Sequence, residues 1–352
     1  MEIIVQIFSD QNFIGAILST IVFLFLGFFF RRKNIIGEKG KEVINALVMK
    51  IAIPCMAFAA FMSDFNPNEL STHGLLLLLS LLLYVIFILF GNLVFIKSDN
   101  SKRPVYAILT AVGQLTFFSI PILKAIYSGE HLSSVLIPSS LMTLSFRVVV
   151  YIYCFITISG TKLTKENAKS TLKSIFVNPI MIAMGLGVLI WLIQNVIWQV
   201  DVNGTSYGFL RIDKTCPALF KIISMGDSLA TPLCMLLIGV TLGESNIASA
   251  LKNKTSWLIA SLKMFAIPAI TFGICILIQL TGLIRFNEYS LAAIVIGMDA
   301  PTSAVVIAFC NDYDRETYVA SDSVFLSTLL SIISIPLFFI LIKFAITWPL
   351  FA

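Results

Sequence analysis

Tyr289–Asn311, YSLAAIVIGMDAPTSAVVIAFCN, is long and apolar enough to cross a bilayer, yet Met298-Asp299-Ala300-Pro301-Thr302-Ser303 interrupts its middle. Pro301 removes a backbone donor and crowds the carbonyl four residues earlier, which predicts a break in the helix there. Asp299, beside that break, puts a carboxyl group near the bilayer centre. A charge at that depth costs ~2.5–3.5 kcal/mol on insertion scales, and such residues face a cavity rather than lipid. Backbone freed from helical bonding is tolerated at membrane depth only where protein buries it or a wet cavity receives it. A broken helix with polar groups at the break is therefore a candidate binding site.

The surrounding composition agrees. Of 352 residues, 58% are hydrophobic and 12% charged, against about 25% charged in a soluble domain. The chain reads as a polytopic, all-α membrane protein. Its net charge of +5 comes from short loops and carries topology, not nucleic-acid binding. The six cysteines (Cys55, Cys154, Cys216, Cys234, Cys275 and Cys310) lie in or at the ends of apolar stretches without ligand spacing and read as small buried hydrophobes. The two histidines, His73 and His131, lie at segment edges, so paired-histidine metal chemistry is not expected. No cofactor or metal is expected beyond an H+ or Na+ co-ion.

Ten runs have the length that crosses ~30 Å of hydrocarbon: roughly 11–30, 43–62, 74–96, 105–127, 133–158, 175–199, 216–242, 256–282, 289–311 and 318–345. The loops after spans 1, 3, 5, 7 and 9 hold fifteen Lys and Arg, among them Arg31, Arg32, Lys33, Lys102 and Lys162; the opposite loops hold three, Arg211, Lys214 and Arg285. The positive-inside rule makes the first set cytoplasmic and puts both termini outside. The charged stretch 160–174 divides the chain into five spans over 1–159 and five over 175–352. Five is odd, so the halves run in opposite directions, the inverted repeat of many secondary transporters.

The halves echo one another. Span 2 contains Ile53-Pro54-Cys55-Met56 and span 7 Thr231-Pro232-Leu233-Cys234-Met235. Span 4 reads Gly113-Gln114-Leu115-Thr116-Phe117-Phe118-Ser119-Ile120-Pro121, against Gly297 to Ser303 in span 9. With these features, Leu47–Phe58, Asn178-Pro179 and the following IMIAMGLGVL, Gly226–Gly243 and Ser323–Pro336, the chain resembles the auxin efflux carrier family over nearly its whole length. That family includes bacterial organic-acid carriers and the plant PIN auxin exporters.

The resemblance implies ten helices in two inverted five-helix repeats, similar to sodium/proton antiporters and bile-acid carriers. Spans 4 and 9 then cross near their prolines beside the substrate site, the substrate is an organic anion, often a carboxylate, and the protein is a homodimer. Two positions depart from the family pattern. Gln114 and Val305 stand where members often carry Asn, and Asp299 is an addition.

At the crossing, half-helix N-termini favour an anionic group. Gln114, Thr116, Ser119, Thr302 and Ser303, beside Pro121 and Pro301, either line the substrate or satisfy backbone freed by the prolines. Arg147, mid-span in SLMTLSFRVVVYIY, either grips a carboxylate bidentately or pairs with Asp299 or Asp227. Asp299 is a proton or cation carrier, or a permanent partner to Lys124, Arg147, Lys221 or Lys263. Asp227 either ligates a cation or lies in an outer vestibule. Pro54, Cys55, Met56, Pro232 and Cys234 are packing residues or apolar walls of the site.

These readings converge on a secondary transporter moving a small organic anion through the cytoplasmic membrane by alternating access. A cation carrier and a non-transporting membrane sensor are the alternatives. No Walker A motif is present, and no nucleophile elbow or paired histidine suggests an enzyme. If Asp299 carries the co-ion, Asp299→Asn abolishes or uncouples flux in reconstituted vesicles while the protein still folds. Unchanged flux with unchanged pH dependence would remove Asp299 from that role.

Overall fold

The structure is a computed structural model that describes residues 11–127, 129, 131–158, 173 and 176–351; the basic stretch 160–174 lies outside the described residues except for residue 173. The described chain is mostly helical. In order come α1 (Gln11–Arg32), α2 (Glu38–Ala59), α3 (Pro67–Val94), α4 (Arg103–Ala111), α5 (Leu115–Ile126), α6 (His131–Thr157) and α7 (Pro179–Ile193). A hairpin of β1 (Gln199–Val202) and β2 (Thr205–Gly208) follows. Then come α8 (Pro217–Glu244), α9 (Lys254–Thr281), α10 (Glu288–Met298), α11 (Ala304–Asp312) and α12 (Thr317–Ala345). Among the described residues, six helices carry a stretch long and apolar enough to cross a membrane, in α2, α3, α6, α8, α9 and α12.

Local chemistry sets the ends. Asn178 caps α7, its side chain accepting from the Met181 N–H at 3.1 Å, with Pro179 in the first turn where a missing donor is harmless. Asn287 and Ser290 form a capping box at α10, with reciprocal bonds of 2.9 and 3.0 Å. Gly282, at φ +71°, closes α9.

The prolines act less uniformly than their spacing implies. The second half of span 4 and spans 2 and 8 answer a proline with a π turn: Val48–Ala52 before Pro54, Leu115–Ser119 before Pro121, and Leu262–Ala266 before Pro268. A single wider turn absorbs the lost donor without ending the helix. In span 7 the irregularity falls at Leu229, between Pro217–Ser228 and Ala230–Glu244, and Pro232 lies within the second segment. Among the described residues only spans 4 and 9 break fully, at residues 112–114 and 299–303.

Packing sorts the helices into two groups. In one, α1 lies along the second segment of α8, and α2 packs on α7 and the first segment of α8. In the other, α3 packs on α4 and α6, α9 on α10 and α12, α10 on α6 and α12, and α11 on α12. The helix α5 touches α1 and α8 as well as α6 and α10, so it joins the groups. Outward-facing Leu78, Leu82, Leu89 and Leu93 of α3 and Leu277 and Leu280 of α9 are more than half exposed. Apolar faces of this extent suit lipid rather than water.

The α1–α8 seam depends on small residues. A Cβ on Gly239 would stand 2.0 Å from the Leu24 carbonyl oxygen, and one on Gly27 2.2 Å from that of Leu236. Both obstacles are backbone, so neither can rotate away. Overpacking costs roughly 1–3 kcal/mol where side chains can shift. Gly239→Val is therefore expected to lower thermal stability by at least that amount, measured as unfolding of the detergent-solubilised protein, whereas Gly15→Val, with open space around it, is expected to change little.

Candidate functional site at the crossing of the broken helices

Where α4 ends, Val112 turns extended (φ −108°, ψ 138°), and before α11 Ser303 does the same (φ −73°, ψ 125°). The two extended stretches pair antiparallel, with Gly113 opposite Thr302. The Gln114 N–H donates to the Pro301 carbonyl at 2.6 Å and the Ser303 N–H to the Val112 carbonyl at 3.2 Å. Each break supplies the backbone partners that the other lost. Gly113 permits the approach, since a Cβ there would stand 2.5 Å from the Ala300 carbonyl oxygen.

Several of the predicted polar residues serve this joint. Thr302 donates its hydroxyl to the Leu109 carbonyl (3.2 Å), and its N–H is received by Ser327 Oγ (3.0 Å). Ser119 donates to the Ile296 carbonyl at 2.8 Å. Gln114 Nε2 donates to the Thr302 carbonyl at 3.2 Å, and Ser303 Oγ receives the Val305 N–H at 3.3 Å, capping α11. Thr116 Oγ1 is buried with no hydrogen-bond partner. Of the two prolines, Pro301 gives its carbonyl to Gln114, and Pro121 gives its carbonyl to the Thr231 hydroxyl at 3.3 Å.

Each of four cations named from sequence meets a distinct setting. Lys263, fully buried on the π turn of α9, donates to the Ala111 carbonyl at 3.2 Å and the Met298 carbonyl at 2.9 Å. These are the last residues of α4 and α10, so one ammonium sits at two half-helix C-termini, where positive charge is favoured. Lys124 pairs with the Asp227 carboxylate and donates to its carbonyl at 3.0 Å. Lys221, on the first segment of α8, is exposed. Arg147 is 7% exposed, its Nε has no partner, and among the described residues no carboxylate forms an ion pair with it. The Arg147 pairings with Asp227 or Asp299 that the sequence allowed are not formed.

Asp299 is fully buried, and neither carboxyl oxygen has a hydrogen-bond partner. Ser334 of α12, its hydroxyl also unpaired, and Lys263 lie close enough to act on it.

A cavity of about 70 Å³ opens beside the crossing, lined by Gln114, Thr116, Arg147, Tyr151, Ser303 and Val305, among others. About 10–15 Å³ holds one water on this measure, so the space admits several waters or a carboxylate group. Arg147 and the start of α11, a helix N-terminus whose dipole also favours an anion, line the same cavity. Thr116 is shared with a smaller cavity of about 10 Å³ lined by Met56, Ser140, Thr143 and Met184. Pro54, Cys55, Pro232 and Cys234 line neither. Pro54 and Cys234 are buried in packing, and Cys55 and Pro232 are half-buried. Ser327 and Ser334 are central to the crossing in a way their sequence positions do not announce, and Lys263, named from sequence as a partner for Asp299, bonds the helix-end carbonyls instead.

The chain matches the family model described as membrane transport protein over residues 12–339. It is 23% identical to an "uncharacterized transporter" of Methanothermobacter thermautotrophicus over 92% of this chain and 96% of the relative. A second such transporter, from Methanocaldococcus jannaschii, is 20% identical over 92% and 96%. The "uncharacterized transporter YfdV" of Escherichia coli is 26% identical over 51% of this chain and 59% of its own.

The Lys124–Asp227 pair ties α5 to α8 across the two packing groups. Asp227→Asn and Lys124→Gln are each expected to destabilise the protein. The double variant should lose less than the sum of the two, with a coupling of about 0.5–3 kcal/mol in a double-mutant cycle. Additive losses would mean that the pair does not hold the groups together.

Proposed function

The chain belongs to the membrane transport protein family, that of the auxin efflux carriers, and from that premise we propose that it is a secondary transporter moving a small organic anion, a carboxylate, across the cytoplasmic membrane by alternating access. It is a multi-pass membrane transporter and not an enzyme. The proposal adds ten spans in two inverted five-helix repeats, with both termini outside and the crossing of α4–α5 with α10–α11 as the substrate site.

One observation carries the anion reading: Arg147 is a buried guanidinium with no carboxylate partner, facing a cavity at the crossing. A buried charge without a partner is costly, and a substrate carboxylate supplies the partner in the bidentate geometry that guanidinium favours. Gln114, Thr116 and Ser303 complete a polar wall, with the unpaired Thr116 hydroxyl free to donate to the anion. Tyr151, Phe146 and Met49 offer apolar surface to the rest of the ligand.

The packing supports a moving part as well. On one side of the crossing, Lys124–Asp227 and the Thr231–Pro121 bond draw α5 onto α8. On the other, the cavity adjoins α11, whose Ala304 and Ala308 are exposed. With the loop after α11 cytoplasmic, these contacts support an inward-facing arrangement closed on the outer side. Rocking of the broken-helix group about α5 then exposes Arg147 to either face. The unpaired Asp299 carboxyl favours coupling to a proton within this cycle.

The test is ligand-induced thermal stabilisation with a panel of mono- and dicarboxylates and indole acids. A selective shift is expected. Arg147→Ala should weaken it by at least roughly 10- to 100-fold in affinity, the loss of even one charged hydrogen bond being worth about 1.5–3 kcal/mol. Arg147→Lys is expected to recover only part, since an ammonium cannot reproduce the planar fork. Full affinity in folded Arg147→Ala would overturn the assignment.

A further inference from the structure

The crossing has two kinds of helix end. The start of α11 looks toward the cavity and Arg147, while the ends of α4 and α10 converge away from it on Lys263. In transporters with discontinuous helices, such C-terminal carbonyls are ligands for a coupling cation. Here the converging oxygens are the carbonyls of Ala111 and Met298, with the Asp299 carboxyl directly following and the Ser334 hydroxyl beside it. Carbonyl, carboxylate and hydroxyl oxygens are the donor set of a hard cation.

A lysine side chain occupies that volume. The Lys263 ammonium donates at 3.2 and 2.9 Å, ordinary hydrogen-bond lengths, and its side chain is wholly buried. The π turn Leu262–Ala266 carries it, and π bulges often mark functional positions. Two features separate this from a lysine satisfying stray carbonyls. The carbonyls come from the two half-helices that meet at the crossing. The acid that would complete a metal site is present, fully buried, and has no hydrogen-bond partner.

We propose that Lys263 is a built-in substitute for the coupling cation: its ammonium fills the position where sodium would bind between the half-helix ends, so the carrier works without sodium. The proposal deepens the transporter reading and rests on it. It also assigns the neighbouring carboxyl a place, as the cation ligand left unused while the tethered ammonium is in position.

The experiment compares thermal unfolding of purified protein in sodium, potassium and N-methylglucamine chlorides at equal ionic strength, with no organic anion present. The wild type is expected to unfold at the same temperature in all three. Lys263→Ala should unfold lower in N-methylglucamine and recover by several degrees in sodium, because removing the ammonium leaves the Ala111 and Met298 carbonyls without their donor and the Asp299 carboxyl near enough to turn to a cation there. Lys263→Ala with Asp299→Asn should lose that recovery. If Lys263→Ala does not fold, Lys263→Gln removes the charge with less loss of volume and is expected to show the same sodium response. A sodium-selective rise in the wild type would overturn the proposal, as would a folded Lys263 variant indifferent to small cations. Because no organic anion is used, failure of the carboxylate panel would remove the substrate assignment without touching this result.

Discussion

Everything at the centre of this protein follows from one constraint: backbone polar groups have no water to bond with at the depth of a bilayer. The chain breaks two helices there and lets the breaks satisfy each other. Val112–Gln114 and Pro301–Ser303 exchange backbone hydrogen bonds, and Gly113 keeps the approach close enough for the exchange. What remains unsatisfied is taken up by side chains from neighbouring helices: Ser327 on the Thr302 amide, Ser119 on Ile296, and Lys263 on the terminal carbonyls. The joint therefore draws on both halves of the chain and on α9 and α12 besides. Neither half can assemble the site alone.

The same constraint sorts the buried charges. Lys263 is neutralised by helix-end carbonyls, and Lys124 by Asp227. Arg211, outside the long helices, is held by Asp64 and Asp213. Burial opposes its charge, and those two carboxylates outweigh the burial and raise its pKa. Arg147 alone of these four has neither arrangement. A guanidinium buried without an acid is costly, and Arg147 lies on the cavity beside the crossing, which is why the proposed substrate site is centred on it.

How much of this the sequence discloses depends on whether the cause is local. Pro301 with its flanking Gly297 and polar residues marks a break by itself, and the Gly113–Pro121 stretch marks the other, because a missing donor and absent Cβ atoms act within a few residues. Pro54 and Pro232 look equivalent on paper, yet Pro54 follows a π turn and Pro232 sits inside a helical segment; whether a helix breaks or widens depends on what packs around it. Partner choice is less legible still. Thr302 and Ser119 bond the backbone, so the plainer reading holds for them, while Thr116 and Arg147 are left free. Asp227 and Lys124 find each other across 103 positions, and Lys263 reaches Ala111 across 152. No spacing rule reaches that far.

The distribution of close packing limits where such a molecule can move. The α1–α8 seam is fixed by backbone meeting backbone at Gly27 and Gly239, an arrangement with no nearby alternative. The crossing is likewise locked by paired backbone. Between these rigid parts, α5 reaches α8 through an ion pair, one hydroxyl bond and side-chain packing. Packed cores switch between discrete arrangements rather than deform continuously. In the proposed transport cycle the boundary at α5 would be the place for two such arrangements, with Arg147, on α6, in the group that moves.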